Sequence, residues 1–238
     1  MTRLLAIDTT GDMCSLALKD GDQTHQFHQC LPRQHARQVL PQLEALFAEA
    51  GWSKTSLDAV VYGRGPGSFT GIRIAAGIAQ GIALGSDCGI IPVSTLQTLA
   101  MEAVDVRPEV HHLWVALDAR MRELYFARYS VVKKVPQLAG DETLLTTAQL
   151  PPAPDESLAC DLLLVGNGWQ TEYGFNPQWL ASLARQKPCL TLPKAIWGAA
   201  LAEVLLAQDP AVRVAPELAL PIYLRDKVTW DKKPKVGQ

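Results

Sequence analysis

Apolar residues run along this chain in two patterns. Unbroken runs such as Leu4-Leu5-Ala6-Ile7 and Leu162-Leu163-Leu164-Val165 have the length of strands buried on both faces. Recurrences at helical spacing, as at Val39, Leu40, Leu43, Leu46, Phe47 and Ala50, mark helices with one apolar side. The first pattern predicts strands at Arg3–Asp8, Ser15–Leu18 and His25–Gln29, with Asp20-Gly21-Asp22 as a hairpin turn. A helix over Ala36–Ala50 follows, closed by Gly51, with Pro41 either in its first turn or kinking it. Then come a strand at Asp58–Tyr62, a glycine-rich turn, a helix over Thr70–Leu84, a strand at Gly89–Val93 and a helix over Ser94–Val104.

The same order begins again near Arg107. Strands are predicted at His112–Asp118, Glu123–Val132 and Leu162–Val165, and helices at Gln178–Arg185 and Ala195–Ala207. Between them, Asp141–Gln149 leads into the loop Pro151-Pro-Ala-Pro154. The expected division is a first lobe over 1–106, a second over 107–220 and a solvated tail over 221–238 with Lys232-Lys233-Pro234-Lys235.

The segment Gly63–Gly85, GRGPGSFTGIRIAAGIAQGIALG, holds the most information. A strand, a glycine-rich turn and a helix in that order hold an anion at the helix N-terminus in many folds. The helix itself carries Gly77, Gly81 and Gly85 on one face. Each costs about 1 kcal/mol against alanine, a cost usually offset by another backbone packed close by. A phosphate cradle and a helix-pairing face are therefore both open. The helix is apolar almost all round, which implies cover on more than one side.

Composition narrows the classes. With 48% apolar residues the chain can bury two cores, and a net charge of −2 argues against autonomous nucleic-acid binding. Five scattered cysteines without a CxxC pair read as reduced thiols of a cytoplasmic protein. The opening MTRLLAIDTT has no signal-peptide core, and no apolar run is long enough to span a bilayer.

Leu4-Leu-Ala-Ile-Asp-Thr-Thr10, Gly65-Pro-Gly-Ser-Phe-Thr-Gly-Ile-Arg-Ile74, Ile91-Pro-Val-Ser-Thr-Leu96, Asp118-Ala-Arg120 with Glu123-Leu-Tyr125, and Pro221-Ile-Tyr-Leu-Arg225 together resemble one family. It is the TsaB (YeaZ) family of bacterial tRNA threonylcarbamoyladenosine biosynthesis. The resemblance implies an α/β, two-lobed actin-like/heat-shock ATPase (ASKHA) fold with duplicated ribonuclease-H-like lobes. It further implies a non-catalytic scaffold, an inactive paralogue of the catalytic subunit TsaD (Gcp). Such a scaffold pairs with TsaD, TsaE joins them, and the assembly transfers a threonylcarbamoyl group to N6 of the adenosine beside the tRNA anticodon. ATP, Mg²⁺ and metal then belong to partner subunits, tRNA is met only through the complex, and a homodimer can form in isolation. The implied partner surface is built from the two first-lobe helices, with Val39, Leu43, Ile74, Gly77, Ile78, Gly81, Ile82 and Gly85 as its candidate residues.

The residues themselves support part of this. Asp8-Thr9-Thr10 stands where ATP-using relatives hold Mg²⁺ and phosphate, yet Asp8 can equally cap its own turn. A second phosphate turn would fall at Asp118-Ala-Arg-Met-Arg122, where bulky side chains replace glycines. Gly166-Asn167-Gly168 reads as a strand-end turn or a relic of an adenosine site. The HxxxH metal pair of the catalytic relative is missing from Val93–Thr98; His111 and His112 are adjacent, and His35 reads as a surface or capping residue. Ser68 or Thr70 fits a helix N-cap, and Arg73 is free for an anion, a partner carboxylate or an internal pair. The alternative is a stand-alone ATP-dependent phosphotransferase or glycoprotease-like peptidase of the same superfamily.

Overall fold

A strand as apolar as Leu4–Ile7 needs cover on both faces, and β1 (Arg3–Asp8) lies at the centre of a five-stranded sheet. The computed structural model describes residues 2–153, 155, 159–170, 174–175, 177–183 and 188–225. β1 pairs antiparallel with β2 (Met13–Asp20), which pairs antiparallel with β3 (Gln23–Cys30) across the turn at Gly21. α1 (His35–Ala50) then carries the chain to β4 (Ala59–Gly63), parallel to β1. α2 (Phe69–Gly85) leads on to β5 (Gly89–Val93), parallel to β4. The sheet order is β3-β2-β1-β4-β5.

The second sheet repeats the scheme. β6 (His112–Asp118) and β7 (Glu123–Val132) form an antiparallel hairpin, and β10 (Leu162–Val165) returns parallel to β6. β8 (Val135–Leu138) and β9 (Thr143–Thr146) both pair with β7. This is the two-lobed actin-like fold. Among the described residues, α3 (Thr95–Val106) is followed later in the chain by α4 (Pro177–Leu183) and α5 (Ala195–Gln208). No helix among the described residues is long and apolar enough to cross a membrane.

The lobes exchange helices. Leu96, Leu99, Ala100 and Ala103 of α3 pack with Leu113, Val115 and Leu163 of the second sheet. Ala195, Ala199, Leu201 and Ala202 of α5 pack with Leu4, Ala6, Val61 and Ile91 of the first. The packing therefore crosses the chain division expected at 106/107. Pro41 is the seventh residue of α1, past its first turn. It and Arg37 are exposed, so the carbonyl that Pro41 leaves unbonded faces solvent. The basic tail at Lys232–Lys235 lies outside the described residues.

Candidate functional site: an occupied phosphate turn, an open helix face and an interlobe cleft

Asp8, Thr9 and Thr10 end β1 and are buried. Asp8 Oδ1 accepts hydrogen bonds from the Thr10 amide at 2.9 Å and the Thr10 hydroxyl at 2.7 Å. Burial pushes the Asp8 carboxyl above the usual range, against the opposing pull of these two bonds. The turn is also filled from the opposite side. The Ser68 amide donates to the Thr10 carbonyl at 2.6 Å, and Thr9 Oγ1 donates to the Gly71 carbonyl at 2.7 Å. A Cβ on Gly63, Gly67 or Gly71 would lie 2.5 Å from Asp8 Oδ2, 2.4 Å from the Thr10 carbonyl or 1.9 Å from the Thr9 carbonyl. Here glycine is required by close approach, of the Asp8 carboxylate at Gly63 and of a second backbone at Gly67 and Gly71. The Thr10 amide and Asp8 Oδ1 are thus engaged with each other, and the Thr9 hydroxyl with α2.

Ser68 is the N-cap of α2, its Oγ accepting from the Gly71 amide at 3.3 Å. Arg73, one turn on, finds no carboxylate among the described residues. Its guanidinium stacks 3.3 Å from the Phe69 ring centroid and 4.9 Å from that of Tyr223.

Gly77, Gly81 and Gly85 behave differently from the three glycines at the turn. A Cβ on any of them would meet nothing within 4 Å. The backbone approach that their helical cost calls for is not made among the described residues. Ile74, Ile78 and Ile82 flank them, half-buried against the first core. Leu84, on the same exposed side, is 76% exposed. Gln80 Nε2 donates to the Ala219 carbonyl at 3.2 Å, which brings exposed Leu218 and Leu220 alongside.

Two expected surface residues need correction. Val39 and Leu43 are 0% and 2% exposed and pack beneath α1 with Leu16, Leu18 and Phe47. The apolar row at helical spacing marks the core side of α1; its outward apolar residue is Leu40, 55% exposed. Leu40 stood in the expected apolar row but faces outward, and Leu84, Leu218 and Leu220 were not singled out, because an apolar residue in sequence does not declare which side it takes. His35 is likewise buried, its Nε2 3.2 Å from the Met13 carbonyl, to which it donates.

Between the lobes lies a cavity of about 360 Å³. Thr10, Gly67 and Phe69 line it from the first lobe, and Asp118, Met121 and Asn167 from the second. The second phosphate turn is not a glycine nest. Arg120, Met121 and Arg122 hold φ of 62°, 56° and 61° in succession, and the Arg120 amide donates to Asp118 Oδ1 at 2.6 Å. Arg120 Nη2 pairs with Asp12 of the first lobe at 3.2 Å. Gly166 and Gly168 press on Ala116, where a Cβ would lie 2.2 Å from its carbonyl oxygen and 2.8 Å from its carbonyl carbon. That serves a strand-end turn, and Asn167 Oδ1 within it accepts from the Asp118 amide at 3.1 Å. The segment Pro221–Arg225 straps the cleft. The Ile222 amide donates to the Arg64 carbonyl at 2.8 Å, and Arg225 Nη2 donates to the Ala119 carbonyl at 2.9 Å and pairs with Glu123 at 2.6 Å.

Comparison with known proteins agrees with this arrangement. Residues 29–232 match the family model described as TsaD: tRNA N6-adenosine threonylcarbamoyltransferase. The chain is 36% identical to the tRNA threonylcarbamoyladenosine biosynthesis protein TsaB of Haemophilus influenzae, over 97% of each chain. It is 36% identical to the protein of the same name from Escherichia coli, over 98% of each. The solved structure of YeaZ from Pseudomonas aeruginosa superposes with a TM-score of 0.81 at 34% identity, covering 94% of this chain and all of that one. With near-complete coverage in both sequence and structure, the chain belongs to the TsaB (YeaZ) family, whose members serve tRNA threonylcarbamoyladenosine biosynthesis.

Proposed function

We propose that this protein is a non-catalytic scaffold that pairs through α2 and the outer side of α1 with a TsaD-type subunit. TsaE joins the pair, and the assembly transfers the threonylcarbamoyl group to tRNA. The observation that carries this reading is the open row Gly77, Gly81 and Gly85. Three glycines in one helix cost about 2–3 kcal/mol, and among the described residues no group approaches their open side to offset it. A second helix seated on that row would bring backbone against backbone, with Leu84 and Leu40 covered in the same contact. The closed turn at Asp8–Thr10 supports the non-catalytic part, because its donors and its acid already bind one another.

Reconstitution tests the proposal. TsaD, TsaE and the enzyme that makes the threonylcarbamoyl donor are incubated with unmodified tRNA, with and without this chain. The expected result is modification only when the chain is present. Equal modification in both mixtures would refute it. Titration calorimetry of the isolated chain with Mg-ATP adds a check on the stand-alone enzyme: turnover there would favour a phosphotransferase.

A further inference from the structure

A backbone with φ near +60° suits glycine or asparagine, and any other residue there costs on the order of 1 kcal/mol. Among the described residues seven that carry side chains hold a positive φ, and five of these are cations: Arg33, Arg120, Arg122, Lys133 and Lys134. The fold thus keeps charge at positions where glycine would be less strained.

Arg120 lines the cleft, and Arg33 and Arg122 each stand two residues along the chain from a residue in contact at its mouth. The Leu31 amide, two residues before Arg33, donates to the Asp12 carbonyl at 3.0 Å. Asp12 in turn pairs with Arg120, two residues before Arg122. Arg37, in the first turn of α1, extends the group. All four arginines are exposed. Arg120 is held by Asp12 and Asp118, whereas Arg33, Arg37 and Arg122 have no carboxylate partner among the described residues. The apolar face of α2 is a separate surface with the opposite chemistry.

We infer that this arginine rim binds the phosphate backbone of the tRNA substrate within the assembled complex. The inference rests on the scaffold reading above. Guanidinium groups match phosphate geometry, and charges without internal partners are available to it. RNA is favoured over an acidic protein because the family serves a tRNA modification and the surface suited to a protein partner is the apolar one. The modest net charge fits a rim that adds to a partner's RNA contacts and does not bind alone.

The test measures binding of unmodified tRNA to TsaD with and without this chain, by fluorescence anisotropy across a salt series. Three forms are compared: unaltered, Arg33→Gly with Arg122→Gly, and Lys133→Gly with Lys134→Gly. Both double variants remove two charges and relieve two strained positions, so thermal stability should hold or rise in each. The rim variant should weaken tRNA binding about tenfold and lower the slope of log affinity against log salt by about 1.5. The hairpin variant should match the unaltered chain. Equal binding by all three forms, or equal loss in both variants, would overturn the rim. Co-elution with TsaD is measured without RNA. If the rim variant no longer pairs, the surface is a protein contact and the inference fails while the scaffold stands. If the unaltered chain neither pairs nor raises tRNA affinity, both fail.

Discussion

Thr9 and Gly71 are locked together: the Thr9 hydroxyl donates to the Gly71 carbonyl at 2.7 Å, while a Cβ on Gly71 would lie 1.9 Å from the Thr9 carbonyl. The first turn of α2 is pressed onto the end of β1, and the phosphate turn of the fold is closed by it. Further along the same helix, a Cβ on Gly77 or Gly81 would enter open space. One sequence motif therefore contains two sets of glycines with different reasons to exist.

Their substitutions should move stability in opposite directions. Gly71→Ala forces two backbones apart and should lose about 2–3 kcal/mol. Gly81→Ala enters open space on a helix and should gain about 0.5–1 kcal/mol. Thermal unfolding of the isolated chain checks both. A neutral Gly71→Ala would mean that the closed turn yields easily.

Asp8 gives a test based on pH. Burial raises its folded-state pKa above the usual 3.8, so the folded state binds more protons than the unfolded one between those two values. Stability contributed by Asp8 thus falls as pH rises through that window and stays low above it. Asp8→Asn keeps an acceptor for Thr10 and removes this loss. The variant should show a flatter stability profile above pH 4 and unchanged threonylcarbamoylation by the complex. A Mg²⁺-binding Asp8 would instead cost most of the activity.

Arg225 ties the strap to the strained turn through Ala119 and Glu123, with its side chain 16% exposed. Arg225→Ala should cost about 1–2 kcal/mol, the worth of a charged hydrogen bond in a partly buried site. It should also speed tryptic cleavage after Arg120 and Arg122, readable by mass spectrometry. Unchanged cleavage would separate the strap from the turn.

The thiols should react unequally. Burial, with the Asp8 charge beside it, pushes Cys14 up to about 11, while Cys30 is exposed. Iodoacetamide at pH 8 should label Cys30 at least about tenfold faster than Cys14, since only the thiolate attacks. Comparable rates would mean that β2 opens readily.

Much of this fold was legible because several of its strands carry apolar runs of strand length: β1, β6, β7 and β10 have the expected bounds. β8 was missed. Pro136 lies within it, and the turn before it is Lys133-Lys134, which lacks the glycine or asparagine that signals a hairpin. The exchange of α3 and α5 between sheets was hidden for a different reason: helical periodicity reveals an apolar side but not which sheet will cover it. The same limit misplaced Val39 and Leu43, whose periodic spacing denotes the core. For the glycines the helical cost was legible, but spacing alone could not tell the closed set at Gly63, Gly67 and Gly71 from the open set at Gly77, Gly81 and Gly85.

The central claim is that the open glycine row receives a partner helix. Gly81→Leu tests it most directly, because the new side chain fits the monomer without a clash at its Cβ yet fills the space a partner backbone needs. Light scattering after size-exclusion chromatography of equimolar variant and TsaD is the measurement. The variant should fold, be at least as stable as the unaltered chain, and elute apart from TsaD. A stoichiometric complex of Gly81→Leu with TsaD, as tight as that of the unaltered chain, would contradict it.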